Sequence, residues 1–498
     1  WDLAAVHRLL AGEWRADAGR VWAGAHGLDT DSIPVRRPPD LFHQAAADDQ
    51  RHPVRPDGHL HPQWLEEAGP ITSARLATWA QLALEVAQLQ HSQLRGLSCG
   101  SQASATARAE SAAELLCAEL EFDGLPLDRS VAERIIADSI GPRPSSEIEL
   151  VDQRNRRDAE VLCHAPPGGR FDLRSPADVR SLLRRIGIEV PDTRAWRLEA
   201  IVDPPPLVTA LLAWRKAERV ASTYGYTWLD NHLGADSRLR GSWSGSDGAA
   251  GRMTASAGLH NMPAEMRPAV VAENGRVFVR ADLGQIEPRV LAAVSGDPLL
   301  AAATAAPDLY APIAEQLGVA RSIAKVAVLG AMYGQTTGRG ADALRSLDRA
   351  YPVAMTYLRE ASVAGRSGRN LRTFGGRLIR LDSSSWVVEG SAHDDRESRT
   401  RDAARGRYAR NAMVQGAAAE LFKVWAALVR ARCTAFDARI VLCLHDELLV
   451  HAPIEHAAAV AEMVGSCLQE AAARWSPDRR VRFVADISII ARWSDVSG

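Results

Sequence analysis

The chain contains 498 residues, enough for roughly two to four domains with sizeable cores. Apolar residues make up 46% and charged residues 24%, which is ordinary for a soluble globular protein, and no apolar run approaches the roughly 18–20 residues of a membrane span. The formal net charge of -2 gives no global sign of a nucleic-acid binder.

Cysteine usage indicates the redox compartment, and lysine usage helps to interpret individual positions. The six cysteines are scattered, without a CxxC pair or a disulfide-framework spacing, which favours the reducing cytoplasm and argues against a zinc site. Of the 59 basic residues only Lys216, Lys325 and Lys423 are lysine. Arginine is the default cation of this chain, so a lysine at a particular position is mildly informative.

The first half of the sequence is mainly helical. Residues 75–94 follow helical spacing, and residues 96–105 have the Ser/Ala/Gly-rich composition of a linker. A further helix is predicted through residues 112–136. More helices, separated by Pro- and Gly-rich segments, lead to a Gly/Ser-rich loop at residues 241–252.

A strand pattern begins at Val277, and Gly284 ends it before helical spacing takes over. Asp282 therefore lies where a strand gives way to a helix, and an aspartate at such a junction, taken alone, is most simply a helix cap. A long helical stretch follows, and strand patterns return at residues 439–451. We predict a sheet interrupted by a helical insertion.

The stretch VLCLHDELLVHAP, residues 441–453, places His445, Asp446 and Glu447 between two apolar arms. Two such arms predict a β-hairpin, and an exposed hairpin tip is the plain interpretation of the acidic pair. Buried carboxylates, however, cost several kcal/mol unless they are paired or bind a metal. Because neighbouring strand residues point to opposite faces, Asp446 and Glu447 cannot both point fully at one site. One carboxylate should have the main role there and the other a supporting role.

One helical stripe carries two cations and a phenol. Arg321, Lys325, Leu329 and Tyr333 recur every four residues and therefore lie along one face of a helix. This combination suits a polyanion such as a triphosphate. A solvated surface helix is the alternative, against which the scarcity of lysine argues.

A second stripe comprises Arg407, Asn411 and Gln415. Amide side chains can bond to the acceptors that every base pair presents in the minor groove. Such contacts test the shape of a base pair without reading its sequence, and alone they are a weak signal.

In this order, the segments resemble the conserved motifs of the family A DNA polymerases, the bacterial DNA polymerase I type. DLGQIEPR resembles motif A, RSIAKVAVLGAMYG motif B and HDE motif C. LLAWRKAERVASTYG resembles the thumb helix, GRMTASAGLHNMP the primer-template loop, ELEFDGLPLD the opening of the polymerase region and TFGGRLIRL the end of the fingers.

The resemblance implies an α+β right-hand polymerase fold, with an antiparallel palm sheet and helical fingers and thumb. We expect a degenerate 3′–5′ exonuclease-like region at residues 1–108 and the polymerase domain at 109–498. Within the latter, we expect the thumb at about 130–240, the palm at about 241–300 and 412–498, and the fingers at about 301–411.

The implied activity is template-directed DNA synthesis, in which dNTPs are added to a primer 3′-hydroxyl by two-metal phosphoryl transfer. Asp282 and Asp446 would bind two Mg²⁺ ions, for which Mn²⁺ can substitute, and Glu447 would support them. Arg321 and Lys325 would hold the triphosphate, and Lys325 could donate a proton to the leaving pyrophosphate.

The resemblance also assigns substrate contacts. The dNTP pocket would include Gln285, Leu329, Tyr333, His445 and Glu287, the last as a steric gate against a ribose 2′-hydroxyl. Primer-template DNA would contact Arg219, Arg252, Asn261, Arg407, Asn411, Gln415 and His445. We therefore expect dNTPs and primer-template DNA as the partners, and no association with a membrane. We expect the protein to be a monomer in the cytoplasm, at the nucleoid.

Three positions depart from the family pattern. Leu329 stands where Phe or Tyr is usual, Gly284 replaces a serine and His260 replaces a glutamine. Leucine keeps an apolar contact but lacks the aromatic face that stacks on a base, so we expect weaker or less selective nucleotide binding.

The N-terminal region resembles the later part of a proofreading exonuclease. The final Tyr-x-x-x-Asp pair of that domain would fall on Arg75 and Trp79, and its opening Asp-x-Glu strand is absent from this sequence. We therefore expect no proofreading, and a role in repair, gap filling or lesion tolerance. The alternatives are a bifunctional exonuclease–polymerase with ligands upstream of Trp1, and a non-catalytic DNA-binding scaffold.

Overall fold

The structure is a computed structural model that describes residues 1–35, 52–65, 72–247, 250–334, 341–382, 395–444, 446–477 and 480–495. The chain forms two compact units. The first comprises Trp1–Asp123, Ser242–Ala255 and Asn274–Ile490, and the second comprises Gly124–Gly241, Ser256–Glu273 and Ala491–Gly498. Each unit is thus assembled from three separate segments of the chain.

The first unit opens with the helices α1 (Leu3–Ala11), α2 (Ala18–His26), α3 (Pro62–Leu65), α4 (Ser73–Arg95) and α5 (Gly100–Asp123). Helix α4 confirms the helix predicted at residues 75–94. The predicted linker at 96–105 is wrong, because α5 already begins at Gly100. The helix predicted through 112–136 is confirmed at both ends but is not continuous: Gly124 has φ 68°, a left-handed conformation that favours glycine and ends α5.

The second unit is mainly helical. Its elements are β1 (Leu125–Pro126), α6 (Arg129–Ile140), α7 (Glu147–Leu162), α8 (Pro176–Arg185), α9 (Ala195–Glu199), α10 (Pro206–Thr223), α11 (Tyr226–His232) and β2 (Arg238–Leu239). Strands β1 and β2 pair antiparallel. Leucine and valine side chains of α8 and α10 are buried together in one core, among them Leu182, Leu183, Val208 and Leu211.

The remaining elements return to the first unit. They are β3 (Trp243–Asp247), β4 (Arg252–Ala255), β5 (Arg276–Leu283), α12 (Ile286–Ser295), α13 (Pro298–Ala303), α14 (Tyr310–Leu317), α15 (Arg321–Tyr333), α16 (Ala341–Ala350), α17 (Pro352–Arg366), β6 (Leu371–Arg372), β7 (Leu378–Ile379), α18 (Asp395–Cys433), β8 (Arg439–Leu444), β9 (Glu447–Pro453), α19 (Ala457–Trp475) and β10 (Ala485–Ile490).

A four-stranded antiparallel sheet of order β10-β5-β9-β8 forms the centre of this unit. Helices α12 to α18 are inserted between β5 and β8, so the prediction of an interrupted sheet is confirmed, as is the α+β class. The predicted hairpin is the β8–β9 pair, in which Leu444 lies opposite Glu447. Helices α18 and α19 pack on each other, and the Trp425 indole N–H donates to the Val464 carbonyl at 3.0 Å.

Within the described residues, one stretch, Ser398–Phe436, is long and apolar enough to cross a membrane by length and composition. Its most apolar window is 78% buried inside the fold. A core helix passes the same test, so this stretch is weak evidence for a membrane span.

A buried group of charges joins α5, α18 and the turn between β6 and β7. Lys423 Nζ donates to Glu110 Oε2 at 2.6 Å, and Arg377 forms an ion pair with the other Glu110 oxygen, also at 2.6 Å. Nearby, Glu420 accepts a hydrogen bond from the Thr373 hydroxyl, and burial raises the pKa of Glu420 to about 7. These side chains tie the N-terminal helices to the sheet-bearing part of the unit.

We expect Lys423→Met to lower the free energy of unfolding of the first unit by about 3–5 kcal/mol, because it removes one partner of a buried charge. Urea denaturation followed by circular dichroism measures the change. The matched control is Arg359→Met, which removes an exposed cation 3.4 Å from Asp348 and should cost at most about 1 kcal/mol. Equal losses in the two variants would contradict a stabilising role for the buried group.

Candidate active site

The C-terminal end of β5 brings the two predicted metal-binding aspartates together. Asp282 lies opposite Glu447 of β9 and opposite Asp486 of β10. The Leu283 N–H donates to the main-chain carbonyl of Asp446 at 2.9 Å, which fixes the turn residue beside the strand. Antiparallel pairing therefore joins two positions that are far apart in sequence.

Asp282 does not cap the following helix. The residue at the N-cap of α12 is Gln285, with φ 56° and no side-chain cap bond. The capping interpretation of Asp282 is therefore wrong. The left-handed turn at Gln285 carries the chain directly from the strand into α12 and leaves the Asp282 carboxylate available for other contacts.

The electrostatics of this pair favour a cation. Burial, reinforced by the neighbouring Asp282 carboxylate, raises the pKa of Asp446 to about 6. Burial also raises the pKa of Asp282, against the opposing effect of Arg280. Two carboxylates that resist joint ionisation form an oxygen-only donor set, which fits Mg²⁺.

Among the residues that the structure describes, no group of three or more His, Cys, Asp or Glu side chains is arranged to hold a metal ion alone. Two carboxylates can nevertheless suffice for Mg²⁺, which often takes its other ligands from phosphates and water. The aspartates therefore fit a metal that is shared with substrate.

Two residues beside Asp282 were missed from sequence. Arg280 of β5 donates from Nε to Glu447 Oε1 at 3.0 Å and from Nη2 to Asp282 Oδ2 at 2.8 Å, and Asp486 adds a further carboxylate from β10. Arg280 is detectable in principle, because a charge two positions before Asp282 shares its face of the strand. Asp486 has no such signal, since strand pairing is not readable from the sequence.

Helix α15 presents the predicted stripe of Arg321, Lys325, Leu329 and Tyr333. Arg321 and Lys325 are exposed, and Leu329 is half-buried between Lys325 and Tyr333. The Arg321 guanidinium pairs with Asp308, which also accepts a bond from Gln285 Nε2 at 2.8 Å. Asp308 was missed from sequence, and it connects the stripe to the end of β5.

Glu287 is held by two neighbours. Arg252 Nη2 donates to Glu287 Oε1 at 2.7 Å, and the Tyr333 hydroxyl donates to Oε2 at 3.0 Å. Burial and the Glu287 carboxylate raise the pKa of Tyr333, which keeps the phenol protonated as a donor. The three side chains, from β4, α12 and α15, form one connected group.

The second predicted stripe lies on α18 beside this group. The Gln415 side chain lies near the Tyr333 hydroxyl and lowers the pKa of this phenol, against the larger effect of burial. Arg407 packs on Gly334 at the end of α15, where a Cβ atom would approach Arg407 Cγ to 2.8 Å. Asn411 lies between them on the same face of α18. The two helical stripes thus meet, although the sequence treats them as separate signals.

The structure does not bring all predicted site residues into this group. Arg219 and Asn261 belong to the second unit, where the Arg219 guanidinium donates to the Asn261 carbonyl. His445 lies outside the described residues. Arg75 and Trp79 are at the predicted exonuclease positions on α4. The Arg75 guanidinium carbon lies 4.9 Å from the Trp64 ring centroid, and the Trp79 and Trp64 ring centroids are 6.2 Å apart.

Comparison with known proteins identifies the family. The family model for DNA polymerase family A matches residues 147–495. The chain belongs to DNA polymerase family A.

The chain is similar to DNA polymerase I of Chloroflexus aurantiacus, with 31% identity over 343 residues, which is 60% of this chain and 35% of the relative. It is similar to thermostable DNA polymerase I of Thermus aquaticus, with 29% identity over 360 residues, or 65% of this chain and 42% of the relative. It is also similar to DNA polymerase theta of Caenorhabditis elegans, with 26% identity over 340 residues, or 61% and 20%. The matched region covers less than half of each relative.

Among solved structures, the chain is similar to the POL domain of Pol1 from M. smegmatis in complex with DNA primer-template and dNTP. The TM-score is 0.66 at 22% identity, over 84% of this chain and 75% of that chain. This similarity shows a shared fold.

Proposed function

We propose that the chain is a template-directed DNA polymerase that adds dNTPs to a primer 3′-hydroxyl by two-metal phosphoryl transfer. The observation that carries the proposal is the pairing of β5 with β9, which sets Asp282 beside Asp446 within a family A fold. The partners of the similar M. smegmatis domain, primer-template DNA and dNTP, are the ones we extend to this chain.

Asp282 and Asp446 would hold two Mg²⁺ ions, and Mn²⁺ can substitute because it accepts the same oxygen ligands. When bound, such ions activate the primer 3′-hydroxyl and stabilise the leaving pyrophosphate. Glu447 supports the site from β9 through Arg280, which holds the Asp282 carboxylate in place.

Arg321 and Lys325 bind the triphosphate from the exposed face of α15. The Arg321 guanidinium exchanges Asp308 for phosphate oxygens, and Lys325 donates a proton to the leaving pyrophosphate. Leu329 and Tyr333 form the wall against which the new base pair is placed, and Gln285 fixes Asp308 behind Arg321.

Glu287 serves as the steric gate. Its carboxylate is fixed by Arg252 and Tyr333, so it cannot swing aside at low cost when a ribose 2′-hydroxyl approaches. A fixed group of this kind rejects the larger sugar by steric conflict and by burial of an unpaired hydroxyl.

The proposed enzyme also binds primer-template DNA. Arg252, Arg407, Asn411 and Gln415 contact the primer-template, the amides from the minor-groove side. Arg219 and Asn261 of the second unit contact the DNA as well, and His445, outside the described residues, contacts the primer end. These contacts are independent of base sequence, as template copying requires.

The enzyme acts without proofreading, in DNA repair, gap filling or lesion tolerance, as a monomer in the cytoplasm at the nucleoid. Residues 1–108 are then an exonuclease-like remnant and residues 109–498 the polymerase domain. What supports this is that Arg75 and Trp79 engage Trp64 and offer no carboxylate to a metal.

Two alternatives make different demands. A bifunctional exonuclease–polymerase would shorten a labelled primer when Mg²⁺ is present and dNTPs are left out, whereas the proposed enzyme leaves it intact. A non-catalytic DNA-binding scaffold would bind primer-template DNA without extending it. The metal-binding pair argues against the scaffold, because DNA binding alone does not require it.

Asp446→Asn should lower the rate of primer extension at least about 100-fold, because metal stabilisation of the transition state is worth several kcal/mol. A gel assay with a labelled primer, Mg²⁺ and dNTPs measures it. The matched control is Asp437→Asn. Asp437 is an exposed aspartate paired with Arg276, and asparagine tolerates the φ of 49° at position 437. Undiminished extension by Asp446→Asn, or none by the wild type, rejects the proposed activity.

Glu287→Ala should raise incorporation of NTPs relative to dNTPs by at least about tenfold, because the carboxylate no longer excludes the 2′-hydroxyl. Single-nucleotide insertion with a dNTP and with the matching NTP gives the ratio. Glu360→Ala, at an exposed glutamate of α17, is the control. An unchanged ratio would count against the gate.

Leu329→Phe should strengthen apparent dNTP binding several-fold, since stacking on a base contributes on the order of 1 kcal/mol or more. Insertion kinetics over a range of dNTP concentrations measure the affinity, and parallel runs measure discrimination against dideoxynucleotides. Val326→Phe adds the same ring to α15 away from the stripe and should change neither quantity. If Leu329→Phe also changes neither, position 329 does not touch the nucleotide.

A further inference from the structure

A buried arginine lies inside the proposed metal site. Arg280 is 8% exposed and precedes Asp282 by two residues on β5, so both side chains are on one face of the sheet. Its guanidinium bridges Glu447 and Asp282, with bonds of 3.0 Å and 2.8 Å and a weaker contact of 3.4 Å to the second Glu447 oxygen.

A second buried arginine nearby provides a contrast. Arg289 of α12 is 0% exposed, and it donates to the main-chain carbonyls of Gly284, Thr304, Ala306, Pro307 and Arg482. Those bonds hold loops together and leave every carboxylate of the site untouched. Arg280 instead spends its donors on carboxylates, one of which is a proposed metal ligand.

The need for a cation at this place follows from charge. Asp282, Asp446, Glu447 and Asp486 gather four carboxylates at one end of the sheet. Like charges at short range disfavour ionisation unless an opposite charge lies between them. Arginine does not lose its proton and can bond two carboxylates at once, so Arg280 supplies the opposite charge in the metal-free chain.

The same charge opposes an incoming metal ion. A divalent cation at Asp282 meets the repulsion of a guanidinium that is already bonded to Oδ2 of that carboxylate. The two cations therefore compete for one oxygen and for the same negative potential.

We propose that Arg280 is a positioning residue that acts as a built-in counter-cation: it holds Asp282 ready in the metal-free chain and sets the concentration of Mg²⁺ or Mn²⁺ that the site requires. This inference rests on the proposed two-metal site. Besides linking Glu447 to Asp282, Arg280 then controls the affinity of the site for the metal ion.

Arg280→Gln tests the proposal, because it keeps a hydrogen-bonding side chain and removes the charge. Electron paramagnetic resonance of free Mn²⁺, with the full chain and without DNA or nucleotide, gives the dissociation constant. We expect Arg280→Gln to bind Mn²⁺ about tenfold more tightly than the wild type. Arg280→Lys, which keeps the charge, should stay close to the wild type.

The matched control is Arg276→Gln. Arg276 lies at the other end of β5 and pairs with Asp437, so this variant should bind Mn²⁺ as tightly as the wild type does. Thermal unfolding adds a readout that is independent of affinity. With chelator present, Arg280→Gln should melt below the wild type, and saturating Mn²⁺ should close the gap, because the metal replaces the lost charge.

Unchanged or weaker Mn²⁺ binding by Arg280→Gln overturns the inference, as does a variant that stays unfolded at saturating Mn²⁺. Asp446→Asn separates this failure from that of the proposed function. If Asp446→Asn leaves wild-type Mn²⁺ binding intact, the metal site itself is misplaced. If it abolishes binding while Arg280→Gln has no effect, only the role of Arg280 fails.

Discussion

The site depends on the antiparallel register of β5 against β9. Because strand side chains alternate between faces, a slip of one residue would turn Asp282 away from its partners and bring Ala281 into its place. Phe278, Val279 and Ala281 are fully buried at 0% exposure, and so are Leu448, Leu449 and Val450 on the partner strand. Both faces of the two strands are therefore buried, and the hydrogen-bonded register between the strands fixes where the carboxylates lie.

Around that sheet, several charged site residues already have an internal partner. Arg280 forms an ion pair with Asp282, and Arg321 forms one with Asp308. Glu287 accepts hydrogen bonds from Arg252 and Tyr333. Such pairs keep side chains in one orientation before substrate arrives, which lowers the ordering cost of binding. In the proposed enzyme the first two pairs must be exchanged for metal and triphosphate, whereas the third persists as a rigid wall.

Periodicity and motif order were enough to predict the strands β5, β8 and β9, the helical insertion between them and both helical stripes. What the sequence could not supply was lateral contact. Asp486 reaches the site only because β10 pairs with β5, and Asp308 only because α14 follows the turn that holds it. The errors near residues 96–136 have a local cause: α5 is rich in small polar residues that resemble a linker, and one left-handed glycine ends it.

The paired charges of the first unit divide into two groups by exposure. The Glu110 and Lys423 side chains are 1% exposed, so neither can exchange its partner for a ligand without local unfolding. The Asp282 side chain is 35% exposed and that of Arg321 is 55% exposed, although both are paired in the same way. Pairing satisfies the charge in either case, but only an accessible pair can release it. Exposure thus separates the ion pairs that stabilise this fold from those able to serve as binding groups, and it places Arg280, buried yet bonded to an accessible carboxylate, at the boundary between the two.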